Sequence, residues 1–246
     1  MKSGKYLFLL LFDCVKLSAQ QIDSNYYEQA IGKNDTTKMI ACSILAEAHA
    51  EINPDSAIYY AEIVVDLSRK MNFKLEEVSA LGQIGYAYTN LGNYPRSLQT
   101  LLSAISIAED PKSEKNVLSE NYPAIDELKN RNASQHNQRL ANLARVHQYM
   151  GILYGNANNR EKEKFHFLMA KNIAEQTGNL PLLSVVSGTL GRAYFSLKQN
   201  DSALLFQQNA YDLAIQSGYS KYRGSILLNL ARVHAAIGNT QQAIEF

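Results

Sequence analysis

Between Ala80 and Ala108 the apolar and polar residues recur on the period of a helix. Leu81, Ile84, Gly85 and Tyr88 fall at i, i+3, i+4 and i+7, which is one helical face, and Leu91-Gly92-Asn93 ends that helix with a glycine where a left-handed cap is needed. Tyr94-Pro95 opens a second helix. On it Ser97, Leu101 and Ala104 form the answering stripe, small residues where two helices approach closely and a large one beside them. The spacing therefore predicts a hairpin of two antiparallel helices.

The hairpin recurs in phase. Ala57 and Ser97 are forty residues apart, as are Ala203 and Ala243, and each holds the small-residue place early in a second helix. Between Ser97 and Ala203 another unit carries Met150-Gly151 and Tyr154 on its first helix and Phe167 and Ala170 on its second. Its small-residue place is Glu163, again forty before Ala203, where a long charged side chain is at odds with close packing. From Ser97 to Glu163 is sixty-six residues, one period plus an insertion of twenty-six. Leu190-Gly191 and Tyr194 with Ala203 and Ala210 mark a fourth unit; Leu230-Ala231 and His234 with Ala243 mark a fifth.

This spacing resembles the tetratricopeptide (TPR) family, with Leu81 in the place of the family's Trp, Ile84-Gly85 as its Leu-Gly pair, Tyr88 as its Tyr and Ser97 as its Ala. The resemblance covers residues 36–246. It implies an all-α, right-handed superhelical solenoid of antiparallel helix pairs whose concave face binds a protein or peptide. A period of about forty exceeds the common 34 and implies longer helices or looser links. The expected repeats are 36–73, 74–110, 137–177, 178–217 and 218–246, the last incomplete, with an insertion at 111–136.

The first helix carries Ile40, Ile44, Leu45 and His49 behind the capping residues Asp35-Thr36-Thr37, and it ends before Asn53-Pro54-Asp55-Ser56. Pro54 suits a first helical position, and Ala57, Ala61, Val64 and Val65 face inward on the partner helix. The stretch Pro54-Asp55-Ser56-Ala57 resembles the first repeat of TPR arrays in bacterial envelope signalling proteins, which precede a membrane helix and then a histidine kinase or a helix-turn-helix regulator. In the insertion, Pro123 to Leu128 can form a short helix within a loop that is either a tolerated surface excursion or a functional one. The fifth repeat stops a few residues into its second helix, so a continuation beyond Phe246 is expected, as short isolated helices are marginal in water.

Charge and composition narrow the partners. The 246 residues include 24 Lys and Arg against 23 Asp and Glu. Without a leader holding Lys2, Lys5, Lys16 and Asp13 these become 21 and 22, a net charge of −1. That balance argues against binding nucleic acid through an excess of cations. The basic Met1 to Lys5, the apolar Tyr6 to Phe12 and the small residues near Ala19 read as a signal peptide over 1–20, followed by a polar lead-in over 21–35. Export to the periplasm follows from that reading; an amphipathic N-terminus on a cytoplasmic protein is the alternative. The apolar run is too short to span a bilayer, so a membrane anchor would lie outside this chain. If Cys14 leaves with the leader, Cys42 has no partner and is a small buried apolar residue.

No catalytic constellation emerges: there is no H-E-x-x-H, no C-x-x-C, no phosphate-cradling glycine loop and no G-x-S-x-G. No cofactor or metal is expected. His49 and His234 occupy the Tyr place of their first helices and His147 a large-residue place, which makes them packing residues. Function is expected instead on the groove side of the first helices, one turn around from the packing stripe. The residues there are Glu47 and Glu51; Tyr86, Thr89 and Asn90; Arg145, Gln148 and Asn156; Arg192 and Phe195; and Asn229 and Arg232. Of these, Asn90, Arg145, Gln148, Arg192, Asn229 and Arg232 offer hydrogen bonds or charge to a peptide backbone or carboxylate, and Tyr86 and Phe195 offer apolar contact. The expected function is a non-catalytic module that relays binding to a downstream signalling domain. A kinase with this array as its regulatory region, or a free-standing periplasmic adaptor, are the alternatives.

Overall fold

A computed structural model describes residues 34–118 and 133–246. The leader, most of the lead-in and the candidate helix from Pro123 to Leu128 lie outside them. Among the described residues there are ten α-helices and no strand: α1 (Asp35–His49), α2 (Pro54–Met71), α3 (Lys74–Asn90), α4 (Tyr94–Glu109), α5 (Gln135–Asn156), α6 (Arg160–Thr177), α7 (Leu180–Ser196), α8 (Asn200–Ser217), α9 (Arg223–Ala236) and α10 (Thr240–Glu245). Each packs on the next, and α3 also packs on α5 and α5 on α7. Odd-numbered helices thus form one layer and even-numbered helices the other, which is the geometry of a solenoid.

The forty-residue period comes from long helices and not from loose links. The helices from α2 to α8 run 16 to 22 residues, and the turns between paired helices are short. Asparagine caps the second helices α2, α4 and α6: the side chains of Asn53, Asn93 and Asn159 accept from the amide N–H three residues on, at 3.2, 3.4 and 3.1 Å. In the turns just before α4, α6, α8 and α10 the backbone takes positive φ at Gly92, Asn158, Lys198 and Gly238. At the start of α1 the capping residue is Asn34, one position ahead of the expected Asp35; its side chain receives the Thr37 amide.

Within each pair the stripes meet as the pattern requires. Ala57, Ser97, Leu101, Ala104, Phe167, Ala170, Ala203 and Ala210 are all buried. Gly151 lets α5 lie against Phe167 of α6: a Cβ built there would stand 2.4 Å from the ring. Glu163 is buried, and its contact is accommodated within its own repeat. Gly155 opposite has no side chain, leaving room for the carboxylate, and Arg160 neutralises it at 2.8 Å. The three histidines expected to pack, His49, His147 and His234, are buried, as is Cys42.

The insertion begins as structure. A 3-10 turn, Pro111–Glu114, leads to Asn116, whose side chain donates to the Met71 carbonyl, and to the buried Leu118. On its far side α5 starts at Gln135, so His136, expected in the insertion, is helical. The buried Arg139 joins the two sides, donating to Glu114 at 2.6 Å and to the Ala108 carbonyl at the end of α4 at 2.8 Å. The Arg139 hydrogen bond holds the Glu114 carboxyl below its ordinary pKa.

Candidate functional site in the concave groove

The first helices α1, α3, α5, α7 and α9 surround a cavity of about 550 Å³. Three registers of the repeat supply much of its wall. Gln83, Tyr149, Thr189 and Asn229 are in register with one another, as are Tyr86, Ile152 and Arg192, and as are Arg145, Val185 and Ser225; all ten positions face the same space because each repeat turns the same helical face inward. Glu47 from α1, Glu51 from the turn after it, and Lys221 and Tyr222 from the turn before α9 complete it.

Five of the eight residues expected to bind a partner line this cavity: Tyr86, Arg145, Gln148, Arg192 and Asn229. Asn90, Phe195 and Arg232 do not. Asn90 turns back to the framework, its side chain donating to the Ala50 carbonyl at 2.9 Å and tying α3 to the end of α1. Phe195 is in register with Thr89 and Gly155, a position that faces the second helix of its own pair. Thr89 shows this directly, hydrogen-bonded to Ser97 at 2.7 Å and to the Gly85 carbonyl at 3.0 Å, away from the groove. Arg232 is exposed on α9, beyond the cavity wall. Asn156, at the end of α5, likewise lies outside it and receives the Tyr94 hydroxyl on its carbonyl.

Residues the sequence reading left out include Gln83, Tyr149, Lys221 and Tyr222. The first two carried a usable signal, since both are in register with Asn229. The turn residues carried none, because their place in the groove depends on how the whole array curves.

The electrostatics are mixed. Tyr86 and Tyr149 stack with ring centroids 5.1 Å apart, the Tyr86 hydroxyl donating to Glu51 at 3.2 Å and Arg145 donating to the Tyr149 hydroxyl at 3.1 Å. Burial, with Glu51 nearby, pushes the Tyr86 hydroxyl well above the usual tyrosine pKa; burial does the same to Tyr222, so both stay protonated donors. Glu47 pairs with Lys221. Arg192 has no hydrogen-bond or ion-pair partner among the described residues, and the buried Oε1 of Gln83 has no donor. Two carboxylates against three cations leave the cavity wall with one net positive charge.

Nothing in this arrangement provides a nucleophile beside a base. Among the described residues no group of three or more His, Cys, Asp and Glu is placed to hold a metal, and no helix is long and apolar enough to cross a membrane.

Comparison with known proteins agrees with the geometry. Residues 80–115, the stretch of clearest periodicity, match the tetratricopeptide repeat family model. No curated protein sequence matches the chain. Similar solved structures include BtubC from P. vanneervenii, at a TM-score of 0.57 and 13% identity over 95% of this chain and 85% of that one. A Rap protein complexed with competence and sporulation factor is similar at a TM-score of 0.65 and 14% identity, over 96% of this chain and 62% of that one. A third is PH0952 from Pyrococcus horikoshii, a signal-transduction ATPase with a tetratricopeptide repeat sensor, at 0.56 and 16%, over 95% of this chain and 34% of that one. The chain thus spans less than two thirds of the Rap and ATPase proteins, and identities this low speak for fold alone. Residues 80–115 thus carry the tetratricopeptide repeat match, and the in-phase helix pairs with their groove of first helices build an all-α solenoid of the tetratricopeptide-repeat kind.

Proposed function

We propose that this chain is a non-catalytic peptide-binding module, the sensory or regulatory part of a larger signalling protein, and that its ligand lies in the groove cavity. The observation that carries the reading is the unpaired polar equipment of that cavity. Arg192 lacks a partner among the described residues, and the Gln83 acceptor is buried without a donor. A buried acceptor left unsatisfied is costly, and a peptide N–H supplies what it lacks; a guanidinium fork suits a carboxylate or backbone carbonyls. The volume fits a short peptide and not a folded domain.

Two of the similar structures support the same kind of role. One is a Rap protein complexed with competence and sporulation factor, and the other is a protein whose repeats are a sensor. The exported, periplasm-facing setting rests on the leader-like first twenty residues and on the envelope-type first repeat.

The test is binding of a pool of fluorescein-labelled random pentapeptides to the full chain, followed by anisotropy. Arg192→Ala is expected to weaken binding about tenfold, equivalent to roughly 1.4 kcal/mol, while Arg232→Ala, outside the cavity, leaves it unchanged. Equal binding by wild type and Arg192→Ala, or no binding by the wild type, removes the groove from the account.

A further inference from the structure

In a stack of repeats each unit touches only its neighbours, and three repeats separate the first from the fifth here. Yet Lys221, in the turn leading to α9, forms an ion pair with Glu47 of α1, 174 residues away in sequence. Stacking does not bring these residues together. They meet because the array curves until its two ends face each other over the groove.

Both partners line the cavity, and Tyr222, adjacent to Lys221, lies inside it near Glu47, Glu51, Arg145 and Tyr149. One short turn therefore supplies both an outer ionic contact and an inner aromatic one. The Lys221 and Glu47 side chains are 46% and 19% exposed. Water and ions reach such a pair, which makes it easily exchanged. Arg192, which lines the same cavity, is a cation with no counterion among the described residues.

Resting on the groove reading above, we propose that Glu47–Lys221 is a latch joining the two ends of the array across the groove, and that a short peptide bearing a carboxylate enters by taking the place of Glu47 on Lys221. The incoming carboxylate then sits between Lys221 and Arg192, and Glu47 is released to solvent. The net positive charge of the cavity wall favours a ligand with one such group.

The experiment measures the distance between spin labels on Asp55→Cys and Gly224→Cys, both exposed, in the full chain carrying Cys14→Ser, with the buried Cys42 left in place. The wild-type pair is expected to give one short, narrow distance distribution at low salt. Lys221→Gln is expected to lengthen and broaden it, as is 1 M salt, and the charge exchange Glu47→Lys with Lys221→Glu is expected to restore it. An unchanged distribution in Lys221→Gln, or a change that the exchange does not reverse, overturns the latch.

The ligand arm adds random pentapeptides as free acids, as amides lacking Asp and Glu, and as amides containing them. The free acids, the acidic amides or both are expected to shift the distribution, according to whether the terminal or a side-chain carboxylate is used, and the neutral amides to leave it in place. Carboxylate pools that bind without moving the labels, or neutral amides that move them equally, overturn entry by exchange. Failure of every pool to bind counts against the groove reading, while the ligand-free distances still decide the latch.

Discussion

Close approach of the paired helices depends on what faces what at single positions. At Gly151 the space belongs to Phe167, and an added Cβ would overlap its ring at 2.4 to 2.9 Å. Alanine gains up to about 1 kcal/mol of helix propensity over glycine, but overpacking a core typically costs about 1–3 kcal/mol, so the clash wins. Gly151→Ala is expected to lower the thermal midpoint, and the loss on adding Phe167→Ala should be smaller than the sum of the two single changes. The first repeat solves the same problem in reverse. In register with Gly151 and Phe167 stand Leu45 and Ala61, both buried, so the large side chain comes from the first helix and the small one from the second. Each pair therefore constrains the combined volume and not the residue on either side.

A second residue-scale expectation concerns pH. His147 and His166 share a hydrogen bond between their Nδ1 atoms at 3.0 Å, and burial, with His147 and Lys162 nearby, pushes His166 down to about 4 from an ordinary 6.5. The folded state resists a proton that the unfolded chain accepts. Its contribution to stability is therefore complete above pH 6.5 and is lost as pH falls from 6.5 toward 4. Thermal midpoints are expected to fall between pH 7 and pH 5, and His166→Gln to flatten that dependence. A slope unchanged in the variant would assign it to other groups. The buried Glu77 does not act in this range. Burial would raise its pKa, but hydrogen bonds from Lys74 and Arg69 hold it below the ordinary carboxylate value.

At the scale of the element, four of the five second helices begin from asparagine, at Asn53, Asn93, Asn159 and Asn239, and α8 from Gln199, and the use of the cap differs from repeat to repeat. The Asn159 side chain holds the Lys162 amide, whereas Asn239, in the same register, hydrogen-bonds the Gln242 side chain instead. Asn159→Ala is expected to cost about 1 kcal/mol and Asn239→Ala much less, read as the difference between their denaturation midpoints. Helix positions were legible from periodicity because local caps and apolar stripes define them. The start of α5 was not, because its extra N-terminal residues are held by Arg139 reaching Glu114 and the end of α4. That contact crosses the insertion and leaves no local pattern.

At the scale of the whole molecule, the repeated helix face makes the groove, and curvature decides which groove residues meet. Periodicity was enough to place Tyr86, Arg145, Gln148, Arg192 and Asn229 on one wall. It misassigned Phe195, whose register follows the intra-pair face, and Asn90, which braces α1. The meeting of Glu47 with Lys221 lay beyond any reading of single repeats, since it sums the rotation of every unit between them. A solenoid distributes stability among neighbouring interfaces, so a contact between its ends adds little to folding, about 0–1 kcal/mol for an exposed pair. Its effect belongs to the width of the groove.

The most direct measurement is hydrogen exchange along the full chain with and without the random pentapeptide pool. The account predicts slowed exchange in α3, α5 and α7 and in the turn carrying Lys221 and Tyr222, with the second helices little changed. Slowing confined to α2, α4, α6 and α8 would place the partner on the convex face and contradict it.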